Sequence, residues 1–337
     1  MKELPELPLP TPEQIASELA PSHEPFVIRG MGANWPVVGA ARKGTRDALQ
    51  YVCEFDTGAP TDIMLAQPEV GGRFFYRDDM RGFNFERQKA SLSQLAEKLE
   101  AFADHPKPPG IYAGAASTRA HLPGFAEANS LPLLDTLSGV TPRIWMGNAT
   151  QVATHFDLSD NFAVVGLGKR RFTLFPPSAT KDLYVGPLDV TLAGQPVSMV
   201  DPLNPDLERY PNYAKAQPLA LTAELEPGDA IYIPTLWWHH VAASEPINIL
   251  LNFWHNNASY GGGFLAFVHA LLSIRDLPLK QKDAWRDWFD HFIFNPDAGS
   301  TADHLPAEAR GINGPPSEQR EMMMRQFITQ MLAPPRG

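Results

Sequence analysis

The sequence predicts a mainly β protein with α elements: a core of jelly-roll or sandwich type, an α+β N-terminal region and C-terminal helices. Three observations carry this expectation. From Pro142 to about Trp254, short strand-like runs of similar length follow one another with turn residues between them, which is the texture of a sandwich or jelly roll. Before that stretch, strand-like and helix-like segments alternate. After Gly261-Gly262-Gly263, three segments have helical texture.

Residues 1–24 begin as a proline-spaced arm. Thr11-Pro12-Glu13-Gln14 then reads as a helix start, with Thr11 as N-cap and proline at the first helical position. Residues 25–30 read as a short buried strand ending in a glycine turn. A helix is expected over 45–53, a β segment over 71–76, and an amphipathic helix with 3.6-residue periodicity over 92–102. Residues 105–109 are a breaker, and 110–114 reopen a strand. Core strands are expected at 143–147, 152–157, 161–167, 170–175, 220–225, 230–233, 239–243 and 247–254. A hairpin is expected at 166–169, and in Glu226-Pro227-Gly228-Asp229 the proline presets φ while the glycine takes the strained position. The proline-rich, polar insert 178–217 is expected to loop over one mouth of the core. Helices are expected over 264–274, 280–294 and 317–332. The last carries Met322, Met323, Met324, Phe327, Ile328 and Met331, so its apolar face is expected to be buried against the core or a second subunit. No internal repeat or long low-complexity tract is found.

Composition narrows the function classes. With 337 residues, 44% hydrophobic and 20% charged, the chain can bury a sizeable core, as one large domain or two ordinary ones. The net charge is −10, and Lys and Arg cluster no further than Lys169-Arg170-Arg171. A nucleic-acid partner calls for a basic face, so none is expected. No apolar run approaches the roughly 18 residues of a membrane span. The start Met1-Lys2-Glu3-Leu4-Pro5 lacks the apolar centre of a secretory signal, and Cys53 is the single cysteine, which fits a reducing compartment. The cytoplasm is the expected location.

The candidate chemistry centres on residues 154–161. His155 and Asp157 are two apart in a β-like run, and side chains at i and i+2 of a strand leave the same face. That sets an imidazole and a carboxylate side by side, with Phe156 turned away. A further histidine is available in Trp237-Trp238-His239-His240-Val241. Two histidines and one carboxylate on one side of a metal form the facial triad of non-haem Fe(II) oxygenases. Only one of His239 and His240 can face the interior from a strand, and tryptophans flank both parities, so periodicity leaves the choice open. The plainer alternative makes His155 a core histidine capped by Asp157.

Arg170 opens a later strand at opposite parity to Lys169 and Arg171. A cation inside a core of Val, Phe and Leu calls for an anion, and the planar guanidinium suits a carboxylate. The alternative is a solvated hairpin tip. Asn161 follows the metal motif; Asn252 and Tyr112 are polar groups in apolar strands, and each alone is better explained as a satisfied core residue than as a ligand contact. No G-x-S-x-G elbow accompanies Ser159, and no Walker loop, Rossmann fingerprint or cysteine–histidine zinc cluster is present.

Combined, several segments resemble one family. They are His155-Phe156-Asp157 with Asn161; Gly168-Lys169-Arg170-Arg171-Phe172 running into Leu174-Phe175-Pro176-Pro177; and Glu208-Arg209-Tyr210-Pro211-Asn212. To these are added Glu226-Pro227-Gly228-Asp229-Ala230-Ile231-Tyr232-Ile233-Pro234, Trp237-Trp238-His239-His240-Val241 and Asn252-Phe253-Trp254. The set resembles the cupin-like JmjC hydroxylases of the factor-inhibiting-HIF (asparaginyl hydroxylase) type, most strongly over 143–254 and more weakly at Arg29-Gly30 and Tyr112.

This resemblance implies a double-stranded β-helix (jelly-roll or cupin) core over 140–258. It implies an α+β region over 1–139 that packs on the core and supplies Tyr112, and a helical region over 259–337 that forms a homodimer. It implies an Fe(II)- and 2-oxoglutarate-dependent dioxygenase that uses O2 to hydroxylate a C–H bond, with succinate and CO2 as coproducts. His239 is selected over His240 to join His155 and Asp157 on the metal. The 2-oxoglutarate contacts fall on Tyr112, Arg170, Asn161 and Asn252, with Arg170 and Tyr112 on the distal carboxylate. Two departures stand out. Arg170 occupies the family's lysine position, and Val152 falls near its threonine, with Thr150 and Thr154 as neighbouring substitutes. A protein or peptide side chain is the implied substrate, and a small molecule is the variant reading. The rivals are a Zn-dependent hydrolase or cupin isomerase, and a non-catalytic cupin-fold binding module.

Overall fold

Fourteen strands form among the residues that the structure, a computed structural model, describes: 1–134, 140–255 and 262–332. In chain order they are β1 (Lys2–Glu3), β2 (Phe26–Ile28), β3 (Thr61–Ala66), β4 (Arg73–Phe74), β5 (Phe85–Ala90), β6 (Gly110–Ser117) and β7 (Thr141–Gly147). There follow β8 (Gln151–His155), β9 (Asp160–Leu167), β10 (Arg170–Phe175), β11 (Leu221–Leu225), β12 (Ala230–Ile233), β13 (Trp238–Ala243) and β14 (Asn248–His255). The eight strands expected in the core are all present. The one shortened where it matters is β8, which stops at His155, so Asp157 lies in the turn that follows and not on the strand.

The strands make a six-stranded sheet in the order β1-β11-β10-β13-β8-β4 and an eight-stranded sheet in the order β2-β12-β9-β14-β7-β6-β3-β5. This is a jelly roll whose sheets are extended at their edges by strands of the N-terminal region, β1 and β4 on the six-stranded sheet and β2 and β6-β3-β5 on the eight-stranded one. Alternation along β9 shows how the eight-stranded sheet is packed. Phe162 and Val164 cluster with Val37, Leu95 and Leu99 of flanking helices. Ala163 and Val165 cluster with Phe172, Leu174 and Val241 of the opposite sheet. A strand buried on both faces needs apolar residues at both parities, which is why 162–167 and 249–251 are apolar at successive positions. Each fully buried side chain of this size stabilises the fold by about 1.5–3 kcal/mol.

Two turns hold the β-roll in register. Gly168 sits at φ +76°, and a Cβ there would meet Asn248 Oδ1 at 2.2 Å. Gly228 sits at φ +98° in the Glu226–Asp229 turn. Asp229 closes that turn by accepting from the Glu226 N–H and the Gly30 N–H, and Arg29 clamps it at 2.8 Å. The expected helix starts are capped reciprocally: the Thr11 hydroxyl accepts from Gln14 N and the Gln14 side chain from Thr11 N. Ser91 and Gln94 repeat the device ahead of helix Leu92–Phe102. Helix Pro36–Lys43, β3 and β5 are present without having been expected.

The insert 178–217 is largely irregular, with short helical turns at Pro177–Asp182 and Tyr213–Ala216. It is pinned beside β8, where Ser198 N donates to Thr154 O at 2.7 Å and Val197 bridges to His155.

The chain divides into two compact units, Met1–Ser259 and Tyr260–Gly337. The second contains helices Gly262–Ser273, Leu279–Phe289 and Glu318–Leu332, where three were expected. Many of its large apolar side chains are exposed, among them Leu272, Trp288, Phe294 and Met331.

Candidate metal centre

His155 ends β8 and His239 lies directly opposite it in the β13 register, with ring centroids 4.2 Å apart. Asp157 reaches the same point from the turn after β8. The Leu236 N–H donates to Asp157 O, and Asp160 accepts from both the N–H and hydroxyl of Thr235. The two ligand-bearing segments are thereby tied together. His155 Nε2 is 4.0 Å from Asp157 Oδ1, and His239 Nε2 is 3.7 Å from Asp157 Oδ2. Those separations are too long for good hydrogen bonds. They suit atoms that share an ion, since two ligands each about 2.1 Å from one metal can lie up to twice that distance apart.

The histidine tautomers follow from the backbone. His155 Nδ1 is 2.9 Å from Ala153 O, and His239 Nδ1 is 3.0 Å from Trp237 O. A carbonyl only accepts, so each Nδ1 carries a proton and each ring turns its Nε2, the atom that can ligate a metal, toward Asp157. Burial, with His155 alongside, pulls the His239 pKa down to about 4. It is therefore neutral at pH 7 and has no proton to shed on ligating a metal. Asp157 is held by Trp254, whose Nε1 donates to Oδ2 at 3.0 Å. Parity turns His240 to the other face of β13, where it is buried with Nδ1 unpaired.

Around the triad runs a narrow cleft whose walls include Tyr112, Asn161, Arg170 and Asn252. The structure thus gathers all seven candidate site residues in one place. Arg170 is 4% exposed and is not a solvated hairpin tip; it faces inward while Lys169 pairs outside with Glu226 at 2.8 Å. Arg170 Nε, the Tyr112 hydroxyl, Asn252 Nδ2 and Asn161 Oδ1 are all buried without a partner. Burial lowers the Arg170 pKa to about 10 and raises that of Tyr112. No carboxylate lies within 4 Å of Arg170 among the described residues. A buried cation beside a hydroxyl and an amide donor, all unpaired, is a cradle for a carboxylate. The residues present therefore fit both a divalent metal and an α-keto dicarboxylate. Val152 also lines the cleft. Thr150 spends its hydroxyl on Asn148 O, and neither it nor Thr154 is part of the cleft wall.

Sequence reasoning missed Trp145, Trp254 and Arg143. Trp145 donates to Asn252 Oδ1 at 2.7 Å and packs on Tyr112. Their signal was parity: Trp254 is two residues beyond Asn252, and Trp145 two beyond Arg143. Outside the cleft lies a chamber of about 610 Å³ that shares Tyr112, Trp145, Val152, His155 and Asp157 with it.

A family model described as a Cupin-like domain matches residues 12–260. The chain is similar to "Bifunctional peptidase and (3S)-lysyl hydroxylase JMJD7" of Homo sapiens, at 28% identity over 273 residues, 73% of this chain and 82% of that protein. It is similar to "HSPB1-associated protein 1" of Bos taurus at 32% identity over 270 residues, covering 72% and 50% respectively. It is also similar to "tRNA wybutosine-synthesizing protein 5" of Gallus gallus, at 38% identity over 105 residues, covering 31% and 30%. The matches thus span half or less of the last two relatives.

Proposed function

The chain belongs to the Cupin-like domain family, and we propose that it is an Fe(II)- and 2-oxoglutarate-dependent oxygenase that hydroxylates a C–H bond of a protein side chain. The observation that carries this reading is the buried, unpaired Arg170 in the same cleft as the His155, Asp157 and His239 cluster. A bare two-histidine, one-carboxylate site would serve a hydrolase or isomerase as well. A guanidinium kept inside an apolar barrel without a counter-ion serves a dicarboxylate cosubstrate.

In this reading His155, Asp157 and His239 would hold the iron. Arg170 and Tyr112 hold the distal carboxylate of 2-oxoglutarate, and Asn161 and Asn252 complete its hydrogen bonding. When bound, iron with 2-oxoglutarate and O2 supplies the oxidising power for hydroxylation, with succinate and CO2 released. The protein supplies orientation and exclusion of water. Trp254 fixes the Asp157 carboxylate, Trp145 fixes the Asn252 amide, and both indoles wall the approach.

A protein substrate is supported by the relative named as a lysyl hydroxylase. The proposed organisation is a substrate-facing α+β region over 1–139, a catalytic core over 140–258 and a helical region over 259–337. The many exposed large apolar side chains of those helices support a homodimer formed through them, since exposed apolar surface in quantity favours association. The single cysteine, Cys53, supports a cytoplasmic location. No helix among the described residues is long and apolar enough to cross a membrane.

The test is succinate release from 2-oxoglutarate, with mass spectrometry of lysate proteins treated with wild type or His155→Ala. The reading predicts Fe(II)-dependent succinate and proteins heavier by one oxygen only with wild type. Equal products from both would refute it.

A further inference from the structure

We infer that the outer chamber receives a carboxylate carried on a peptide, held by Arg143, and that it disfavours a lysyl side chain; the inference rests on the oxygenase reading above. Arg143 pairs with Asn252 in the β7–β14 register, so both project to the same side of the sheet. Arg143 Nε is buried with no acceptor. Among the described residues its Nη1 reaches only Ala115 O, at a long 3.4 Å. No carboxylate lies within 4 Å of it among the described residues.

The backbone beside it is built to keep Arg143 there. The β6–β7 register slips between Ala113 and Ala116, and Ala115 sits at φ +52°, a conformation that residues with a Cβ avoid. Bulges of this kind re-aim groups next to functional sites. Here the bulge turns the Ala115 carbonyl toward the guanidinium.

The chamber's charge balance points one way. Its walls include Arg143, Arg87, Asp62 and Asp157. Asp62 is paired with Lys89 at 3.0 Å, and Asp157 belongs to the triad. Two arginines are left to set the field. A guanidinium's planar fork pairs with a carboxylate, whereas a lysyl ammonium would meet like charge. Gln151 Oε1 also lines the chamber, buried and without a donor. A peptide N–H can satisfy it and a free dicarboxylate cannot, which favours a carboxylate carried on a peptide. By this account the substrate differs in charge from that of the relative named as a lysyl hydroxylase.

The experiment uses the full chain with Mn(II) and 2-oxoglutarate, so that binding is read without turnover. Fluorescently labelled peptide pools, identical except for a central Asp/Glu or Lys, are titrated by polarisation, with free glutarate as competitor. The acidic pool is expected to bind about tenfold tighter or more, the worth of one charge-assisted pair. Arg143→Gln should reduce that ratio to below about threefold, with an unchanged melting temperature and unchanged 2-oxoglutarate binding by calorimetry. Arg143→Lys, which keeps the charge but loses the fork, should fall between. Preference for the lysyl pool, or an unaltered ratio in Arg143→Gln, would overturn the inference. So would displacement of the acidic peptide by glutarate at peptide-like concentrations. Because 2-oxoglutarate binding is read separately, its failure would count against the oxygenase reading and not against the peptide preference.

Discussion

Replacing Arg170 by methionine separates what the buried guanidinium costs from what it does. Arg170 is 4% exposed and its Nε has no acceptor. Burial takes its pKa down to about 10, from above 12 in water. At about 1.4 kcal/mol for each tenfold change, holding that charge in the apo cleft costs about 3 kcal/mol. Methionine fills much of the same space, and imperfect repacking costs about 1 kcal/mol. Apo Arg170→Met is therefore expected to be more stable than apo wild type by about 1–2 kcal/mol, seen as a higher urea midpoint at unchanged slope.

The same change removes the partner of the distal carboxylate. Losing a hydrogen bond to a charged group costs about 1.5–3 kcal/mol, which is roughly ten- to hundredfold in 2-oxoglutarate affinity. With Mn(II) and 2-oxoglutarate at a hundred times its Kd, wild type gains about 2.7 kcal/mol, and the variant should gain much less at that concentration. Arg170→Lys, which keeps the positive charge, should keep most of the ligand effect. If the apo methionine variant is less stable than wild type and keeps its ligand stabilisation, the guanidinium is a structural group and the reasoning fails.

Other expectations follow from neighbouring residues. His239→Leu should abolish Fe(II) binding while His240→Leu leaves it intact; equilibrium dialysis decides, and equal losses would undo the parity assignment. Burial holds both His239 and His240 at about 4. The unfolded chain takes up those protons near pH 6.5 and the native chain only near 4, so apo stability is complete above that upper value. It should fall by about 1.4 kcal/mol per pH unit per histidine as pH drops toward 4. Urea midpoints across that range should slope, and should slope less in His240→Leu; a flat profile contradicts the burial argument. Trp254→Phe removes the 3.0 Å bond to Asp157 Oδ2 and should weaken Fe(II) binding about 10–100-fold, with unchanged affinity meaning that Asp157 is positioned by its turn alone.

Much of the core was legible because local chemistry and global packing agree there. Gly168 and Gly228 occupy positive-φ turns, and apolar residues at both parities in β9 and β14 reflect a sheet covered on both faces. What was missed depended on partners distant in sequence. β5 reads Phe85-Glu86-Arg87-Gln88-Lys89-Ala90, four of six residues exposed, and it is a strand because it pairs with β3. Helix Pro36–Lys43 contains Gly39 and two valines, poor helix formers, and it stands on the packing of Val37 and Val38.

The candidate site divides in the same way. His155, Asp157 and Arg170 stood out by spacing and charge. Periodicity left the choice between His239 and His240 open and the resemblance selected His239, which the register sets opposite His155. Strand periodicity was the wrong account of Asp157, which reaches the cluster from a turn. Parity put Trp145 and Trp254 on the site's side of their strands, but the acceptors of their indole N–H groups depend on inter-strand register, which is not written in any one segment.

The central claim is that His155, Asp157 and His239 hold Fe(II) beside a cradle for 2-oxoglutarate. The most direct measurement is an anaerobic titration of the apo protein with Fe(II) and 2-oxoglutarate, following the metal-to-ligand charge-transfer absorbance. The account predicts a band that saturates at one iron per chain, disappears in His155→Ala and needs a much higher 2-oxoglutarate concentration in Arg170→Met. A band that persists in His155→Ala, or none in the wild type with iron bound, would contradict it.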